Sequence, residues 1–318
     1  MPSRGTLRYL ASRLAGMAVV LLLVATLVFC ITRLAPGDPA AVMLGEQATA
    51  ADIAQLRAAY GLDKPLPVQF AYWLGELAHG NLGQSIFLQR PVTQALVERA
   101  EPTLFLTIFA MTIAIAIGVP CGIVAAVWRN SAVDQAFSGF AMLGASIPSF
   151  WLGLILMQLF AVGLGWFPVA GYGDPGVPLS TRLHHLVLPA IVLGVVNSAL
   201  ILRFTRASML DVLGDDHIRT ARAKGVSEAR VILHHALRNA LIPVVTVLGL
   251  TFALLIGGAI VTETVFGLPG IGNLVVSAVL RRDYPVIQGA LLVIAGLYVL
   301  INLLVDLAYL AIDPRVKY

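Results

Sequence analysis

The chain of 318 residues is 58% hydrophobic and only 12% charged, with a mean hydropathy of +0.88. This composition excludes an ordinary soluble globular domain, in which about half of the residues are apolar and about a quarter are charged. The formal net charge of +4 reflects Lys and Arg in the segments that flank the apolar runs. Such charges are typical of membrane topology and do not indicate a surface for nucleic acid.

Six apolar runs of about 20 residues predict transmembrane helices. They cover residues 10–31, 102–127, 137–162, 186–204, 241–261 and 286–312. The first run is longer than the apolar core of a cleaved signal peptide, so it is predicted to stay as a span. The fold class is therefore all-α, a polytopic transmembrane helical bundle with six spans.

The orientation of the bundle follows from the distribution of Lys and Arg. Most of these residues lie in the segments on the same side of the membrane as the N-terminus. The positive-inside rule assigns that side to the cytoplasm. An even number of spans then brings the C-terminus to the cytoplasmic side as well.

Glycine and proline predict irregular packing in two spans. Gly118, Pro120 and Gly122 predict a kink and close helix contact in the second span. Pro148, flanked by small residues, predicts a bend in the third.

Residues 34–101 form a long external segment. Helical spacing predicts short helices at 48–60, with Thr49 as the cap, and at 68–77. A long loop in a chain of otherwise short connections is often functional, so contact with an external partner is predicted. The candidate contact residues are Asp63, Tyr72 and Trp73. The alternative is a small cap on the membrane surface with aromatic anchors.

Two polar residues, Asn197 and Ser198, lie near the middle of the fourth span. Polar groups at that depth usually face protein or a water-filled path, so both are candidates for lining such a path. Hydrogen bonding between helices is the alternative.

The most basic stretch of the chain is residues 215–243. Its pattern predicts two short helices separated by Gly225, which suits the left-handed position just past a helix end. Asp215 or Asp216 is predicted to cap the first helix, and Ser227 the second.

Small residues in this stretch indicate a surface that another protein can approach closely. They are Ala221, Ala223 and Gly225. The alternative is a plain cytoplasmic loop that is basic because topology requires it.

Sequence patterns for chemistry are absent. No pattern for covalent catalysis or metal ligation occurs, so no catalytic residue and no metal site is predicted. A phosphate-binding loop needs Gly-Lys followed by Ser or Thr. The residues after the three lysines are Pro65, Gly225 and Tyr318. If ATP drives this protein, another chain must hydrolyse it.

Residues 217–243 resemble the cytoplasmic EAA loop of bacterial ATP-binding-cassette (ABC) importer permeases. Arg219, Thr220 and Ala221 stand where the family has Glu-Ala-Ala, and Gly225 is the family's glycine. The departures from Glu-Ala-Ala fit one branch, the dipeptide/oligopeptide/nickel permeases, in which Arg-Thr-Ala-Arg-Ala-Lys-Gly is characteristic. Five further segments resemble that branch: 36–39, 60–63, 263–266, 282–285 and 313–315.

The resemblance implies the type I ABC importer permease fold in a bacterial inner membrane. The implied organisation is a first span within 1–33, an external segment 34–101 and a five-span core 102–318 with a coupling loop at 211–240. The implied contacts to an ATPase come from Arg219, Thr220, Ala221, Ala223, Lys224, Gly225 and Val226.

The resemblance also implies the partners. A paralogous permease would complete a heterodimer whose translocation path includes Asn197 and Ser198. Two ABC ATPase subunits would bind ATP and Mg, and this chain would hold no cofactor. An extracytoplasmic solute-binding protein would dock on the external segment.

Peptides are the expected substrate, with nickel, glutathione or opines as the alternative on the same scaffold. A secondary transporter is the rival from another class. It should show inverted repeats and ionisable residues at mid-membrane, and neither is clear in the sequence.

Overall fold

The computed structural model describes residues 4–34, 41, 48–59, 61–174 and 176–312. These residues form α1 (Arg4–Leu34), α2 (Ala50–Ala59), α3 (Leu66–Ala78), α4 (Val92–Val127), α5 (Ala132–Ser146), α6 (Ser149–Gly163), α7 (Leu179–Leu213), α8 (Asp216–Ala223), α9 (Glu228–Val265), α10 (Ile271–Leu280) and α11 (Tyr284–Ile312). The last turns of α6 and a stretch near the start of α9, Val231–Ala236, are π-helical. The predicted all-α class is confirmed.

Among the described residues, five helices are long and apolar enough to cross a membrane: α1, α4, α7, α9 and α11. The pair α5 and α6, bent by 99° at its junction, passes the same test only as a unit, so the described residues hold five spans, or six if this pair is one broken span. Pro148 lies at this break and disfavours a helical conformation of the residue before it. Ile147 is accordingly extended, with φ −83° and ψ 122°. The bend predicted from Pro148 is confirmed.

The chain divides into two compact units, residues 1–100 with 274–299 and residues 101–273 with 300–318. In the first unit, the ring of Phe29 on α1 packs against Phe70 and Trp73 of α3, with centroids 5.2 and 5.6 Å apart. The predicted helix at 68–77 is therefore present and anchors on α1.

The predicted helix at 48–60 is present as α2. The Thr49 hydroxyl accepts a hydrogen bond from the Asp52 backbone N–H at 3.2 Å, and the Asp52 carboxylate accepts from the Thr49 N–H at 3.1 Å. This reciprocal arrangement is a capping box, and it confirms Thr49 as the cap.

In the second unit α7 is central, and α4 lies close against it at two glycines. A Cβ on Gly118 would lie 2.7 Å from Cβ of Ile201, and one on Gly122 would lie 2.6 Å from Cβ of Thr205. No larger side chain fits at such distances, so the close packing predicted for these glycines is confirmed.

Candidate functional site: the loop between α7 and α9

Helix α8 begins directly after the turn that ends α7. Asp215 occupies its N-cap position, and the Asp215 carbonyl accepts hydrogen bonds from the N–H groups of Ile218 and Arg219 at 3.1 and 3.3 Å. The Asp215 side chain does not cap the helix, because its carboxylate lies 3.6 Å from Nδ1 of His217 instead. Ser227 likewise holds the N-cap position of α9 without a side-chain hydrogen bond. Both cap positions were predicted correctly, whereas side-chain capping was wrong.

Gly225 ends α8 in the conformation that its sequence position predicts. Its φ is +75°, a region that residues with a Cβ rarely adopt. The Gly225 N–H donates to the Arg222 carbonyl at 2.9 Å, and the Val226 N–H donates to the Ala221 carbonyl at 3.2 Å. These two bonds define a Schellman motif, so the left-handed position predicted for Gly225 is confirmed.

One face of α8 is buried in this chain's own core. Ile218 is fully buried and Ala221 is 9% exposed. Both belong to an apolar cluster with Met209 of α7 and with Val231 and Ala236 of α9. The sequence suggested that Ala221 lies on the surface that a partner would approach, but the structure places it on the buried face of α8 instead. The reason is helical spacing, which places Ala221 on the same face as Ile218 three residues earlier.

The opposite face of α8 is exposed together with the turn. The exposed residues predicted to touch an ATPase are Arg219, Thr220, Ala223, Lys224 and Gly225. Val226 is half-buried, because its side chain packs against the apolar cluster. A Cβ on Gly225 would meet no atom within 4 Å, so the turn faces open space.

Two polar contacts tie α8 to α9. Near the C-terminal end of α8, Nη2 of Arg222 donates to Oε1 of Glu228 at 2.6 Å, and Nε lies 3.1 Å from Oε2. The hydrogen bonds to Glu228 raise the pKa of the Arg222 guanidinium. Near the N-terminal end, the Asn239 amide donates to Nε2 of His217 at 3.1 Å.

The candidates for a translocation path lie in α7 of the second unit. The Asn197 amide donates to the Leu193 carbonyl at 2.8 Å, and the Ser198 hydroxyl donates to the Val195 carbonyl at 2.7 Å. Both side chains thus bond within their own helix. Ser198 is fully buried and Asn197 is half-buried.

The candidates for an external contact differ in exposure. Tyr72 is 70% exposed and Asp63 is exposed as well. Trp73 is half-buried, because its ring packs between Phe29 and Phe70. Tyr72 and Asp63 are accessible to a partner, whereas Trp73 also stabilises the contact between α3 and α1.

Sequence reasoning missed a buried carboxylate in the second unit. Glu263 is fully buried; its carboxylate accepts the Thr103 hydroxyl at 2.6 Å and the Asn273 N–H at 2.9 Å. A Cβ on Gly270 would come within 2.2 Å of this carboxylate. The signal was an acidic residue next to a glycine-rich turn, but its partner Thr103 lies 160 residues away.

A second missed contact joins α5 to α7. Nε and Nη2 of Arg206 donate to the two carboxylate oxygens of Asp134 at 2.6 and 2.7 Å. The only signal was an acidic residue in the first turn of an apolar helix.

The described part of the chain holds no group of three His, Cys, Asp or Glu that could bind a metal ion.

Family models match nearly the whole chain. Residues 118–318 match the model described as "Binding-protein-dependent transport system inner membrane component". Residues 6–107 match the model of the N-terminal part of such membrane components.

Two similar curated proteins come from different bacteria. A probable peptide ABC transporter permease protein of Sinorhizobium fredii is 48% identical over 311 residues, which are 98% of this chain and 99% of the relative. A glutathione transport system permease protein of Pectobacterium atrosepticum is 49% identical over 312 residues, with the same coverage.

A solved structure shares the fold. The MetNI methionine ABC transporter, in an inward-facing conformation, matches with a TM-score of 0.59 and 20% identity. The match covers 69% of this chain and 97% of the other.

Proposed function

The chain belongs to the family of inner-membrane components of binding-protein-dependent transport systems, as a permease subunit of an ABC importer of the peptide and nickel group, and we propose that it conducts short peptides. Its fold is that of type I ABC importer permeases, as the likeness to the methionine transporter shows. We interpret the spans and the loop between α7 and α9 as parts of a permease subunit.

One observation carries the choice of substrate. The two relatives at 48% and 49% identity are described as a peptide permease and a glutathione permease. Glutathione is itself a tripeptide, so both descriptions name ligands with amide bonds, a free amino group and free carboxylates. Short peptides, glutathione included, are therefore the proposed substrate class, ahead of nickel or opines.

We also propose the partners. A paralogous permease completes the path, two ABC ATPases receive the exposed face of α8, and an extracytoplasmic binding protein delivers the ligand. The α8 face supports the ATPase contact, because Arg219 is 73% exposed in its side chain and Gly225 faces open space. ATP and Mg bind to the ATPases, and this chain contributes no catalytic residue.

The proposed orientation places both termini and the α8 loop in the cytoplasm, because the N-terminal segment and this loop are the most basic parts of the chain. The external segment then faces the binding protein.

The exposed Tyr72 is the proposed contact with the binding protein in the external segment. Its replacement by Ala should lower peptide uptake without changing the assembly of the complex, whereas Trp73→Ala should also loosen α3 from α1.

Reconstitution tests the proposed function. The chain is assembled with its paralogous permease and ATPases in proteoliposomes, and the binding protein is added outside. We expect ATP-dependent uptake of a labelled tripeptide, and of glutathione if the site is permissive. Uptake of nickel alone would overturn the peptide assignment.

The same assay contains the test against a secondary transporter. Vesicles with only this chain should not accumulate peptide under any ion gradient. Equal uptake by those vesicles without ATP would overturn the importer mechanism.

A further inference from the structure

Helix α8 forms polar contacts with α9 near both of its ends. Arg222 near the C-terminal end pairs with Glu228, and His217 near the N-terminal end accepts from Asn239. The two attachment points on α8 are five residues apart, which is about 7.5 Å along a helix. A helix held at two separated points cannot swivel about either one.

The apolar contacts beneath α8 hold its buried face. Ile218 and Ala221 bury area against the cluster, but hydrophobic contact is non-directional. The turn after α8 is closed by two backbone hydrogen bonds, but it passes through Gly225, the residue type with the widest conformational range. The polar contacts therefore add a directional restraint between α8 and α9.

The Arg222–Glu228 contact bridges the glycine turn itself. Arg222 lies in the last turn of α8, and Glu228 in the first turn of α9, on either side of Gly225. Both Nε and Nη2 of Arg222 engage the carboxylate, and such planar two-atom contacts fix direction as well as distance. The side chains are 43% and 56% exposed, so the pair adds little to overall stability.

Helix α9 continues from this contact without a break to Val265, a run of 38 residues long and apolar enough to span a membrane. We propose that Arg222 and Glu228 form a positioning pair that holds α8 rigidly on α9, so that displacement of α8 by the ATPases is passed to this one span. The inference rests on the proposed function and names the residues that make its coupling loop rigid.

A double-mutant cycle tests the pair in the assembled transporter. Arg222→Ala, Glu228→Ala and the double variant are compared by the number of ATP molecules hydrolysed for each tripeptide imported. Each single change should raise this ratio by about threefold or more, and the double variant should equal the single variants, because either change alone removes the contact.

A matched control comes from another ion pair of the same length. Nη1 of Arg90, two residues before α4, lies 2.6 Å from Oε2 of Glu98 within α4, and the side chains are 30% and 45% exposed. Arg90→Ala should leave the ratio unchanged. If Glu228→Ala has no effect, or if the two single effects multiply in the double variant, Arg222 acts on the ATPase directly and the proposal fails.

A distance measurement is independent of the substrate. Spin labels are placed at the exposed positions Asp216 and Leu233, in a chain with Cys30 and Cys121 replaced by Ser. The distance distribution should be narrow with the pair intact and broad in Arg222→Ala. An unchanged distribution would overturn the proposal even if uptake is normal. Absence of uptake by the unaltered complex would instead contradict the proposed function.

Discussion

Two turns of this protein are each held by an acidic side chain, one of them buried and the other exposed to solvent. In the loop at residues 83–92, the carboxylate of Asp283 accepts the Ser85 hydroxyl and the N–H groups of Ile86 and Phe87, the latter two at 3.2 and 3.1 Å. Ser85 and Asp283 are 2% and 3% exposed. In the turn after α8, Glu228 meets one partner, Arg222, and both side chains are about half exposed.

The difference indicates what each contact does. A buried carboxylate with three donors is costly to disrupt, because its removal leaves the buried Ser85 hydroxyl and two backbone N–H groups without their acceptor. It can also hold backbone strain, and Gln89 in this loop does adopt a φ of 53°. An exposed pair exchanges with water at little cost, so it contributes little to stability and serves to set the direction of α8 on α9. The contact of Asp283 therefore stabilises its loop, whereas the contact of Glu228 sets the orientation of α8.

Removal of the buried carboxylate should have the largest effect. Asp283→Ala leaves three donors without their acceptor, and the loss should be about 1–3 kcal/mol. We expect a lower thermal transition of the purified complex and less protein in the membrane. Asp283→Asn keeps one acceptor oxygen and should fall between. Asp63→Ala, an exposed aspartate of the same unit, is the control, and equal losses for Asp63 and Asp283 would contradict the comparison.

The two faces of α8 provide the second test. Ala221→Asp places a charge in the apolar cluster beneath α8, whereas Ala223→Asp places the same charge on the exposed face. An unpaired buried charge detaches the helix, so Ala221→Asp should expose α8 to proteolysis in the permease before the ATPases are added, while Ala223→Asp should not. Equal protease sensitivity would mean that α8 is not seated as described.

How much of this could be read from the sequence depends on the range of each contact. The span pattern, the left-handed Gly225, the cap at Thr49 and the bend at Pro148 are local, and all were predictable. The orientation of Ala221 was in principle local too, because Ile218 three residues earlier marks the buried face.

The contacts that sequence reasoning missed are long-range. Thr103 and Glu263 are 160 positions apart, and Ser85 and Asp283 are 198 apart. No periodicity links such residues, because their meeting depends on how helices pack rather than on the local chain. The contact of α8 with this chain's own core was missed for the same reason, since Met209 and Ala236 come from two other helices.

A smaller effect is expected at the glycine of the exposed turn. Gly225→Val must adopt a left-handed conformation, which costs about 1–2 kcal/mol, while its side chain meets no atom of this chain. Expression and insertion should therefore persist, and ATP hydrolysis should continue with reduced uptake because the turn's exposed surface has changed. Gly225→Asn tolerates the conformation better and separates strain from bulk. Uptake equal to that of the unaltered complex for Gly225→Val would show that this turn is not part of the ATPase contact.

The smallest effect is expected one turn further along, at Arg230. Its side chain is exposed in the first turn of α9, two residues after Glu228, so the two side chains lie on different faces of the helix. Loss of an exposed charge of this kind changes stability by about 0.5 kcal/mol or less. Arg230→Ala should therefore match the unaltered complex in assembly, ATP hydrolysis and uptake. If instead it impairs coupling as strongly as Gly225→Val, total positive charge in the loop matters more than its geometry, and the distinction between a directing pair and a surface charge is lost.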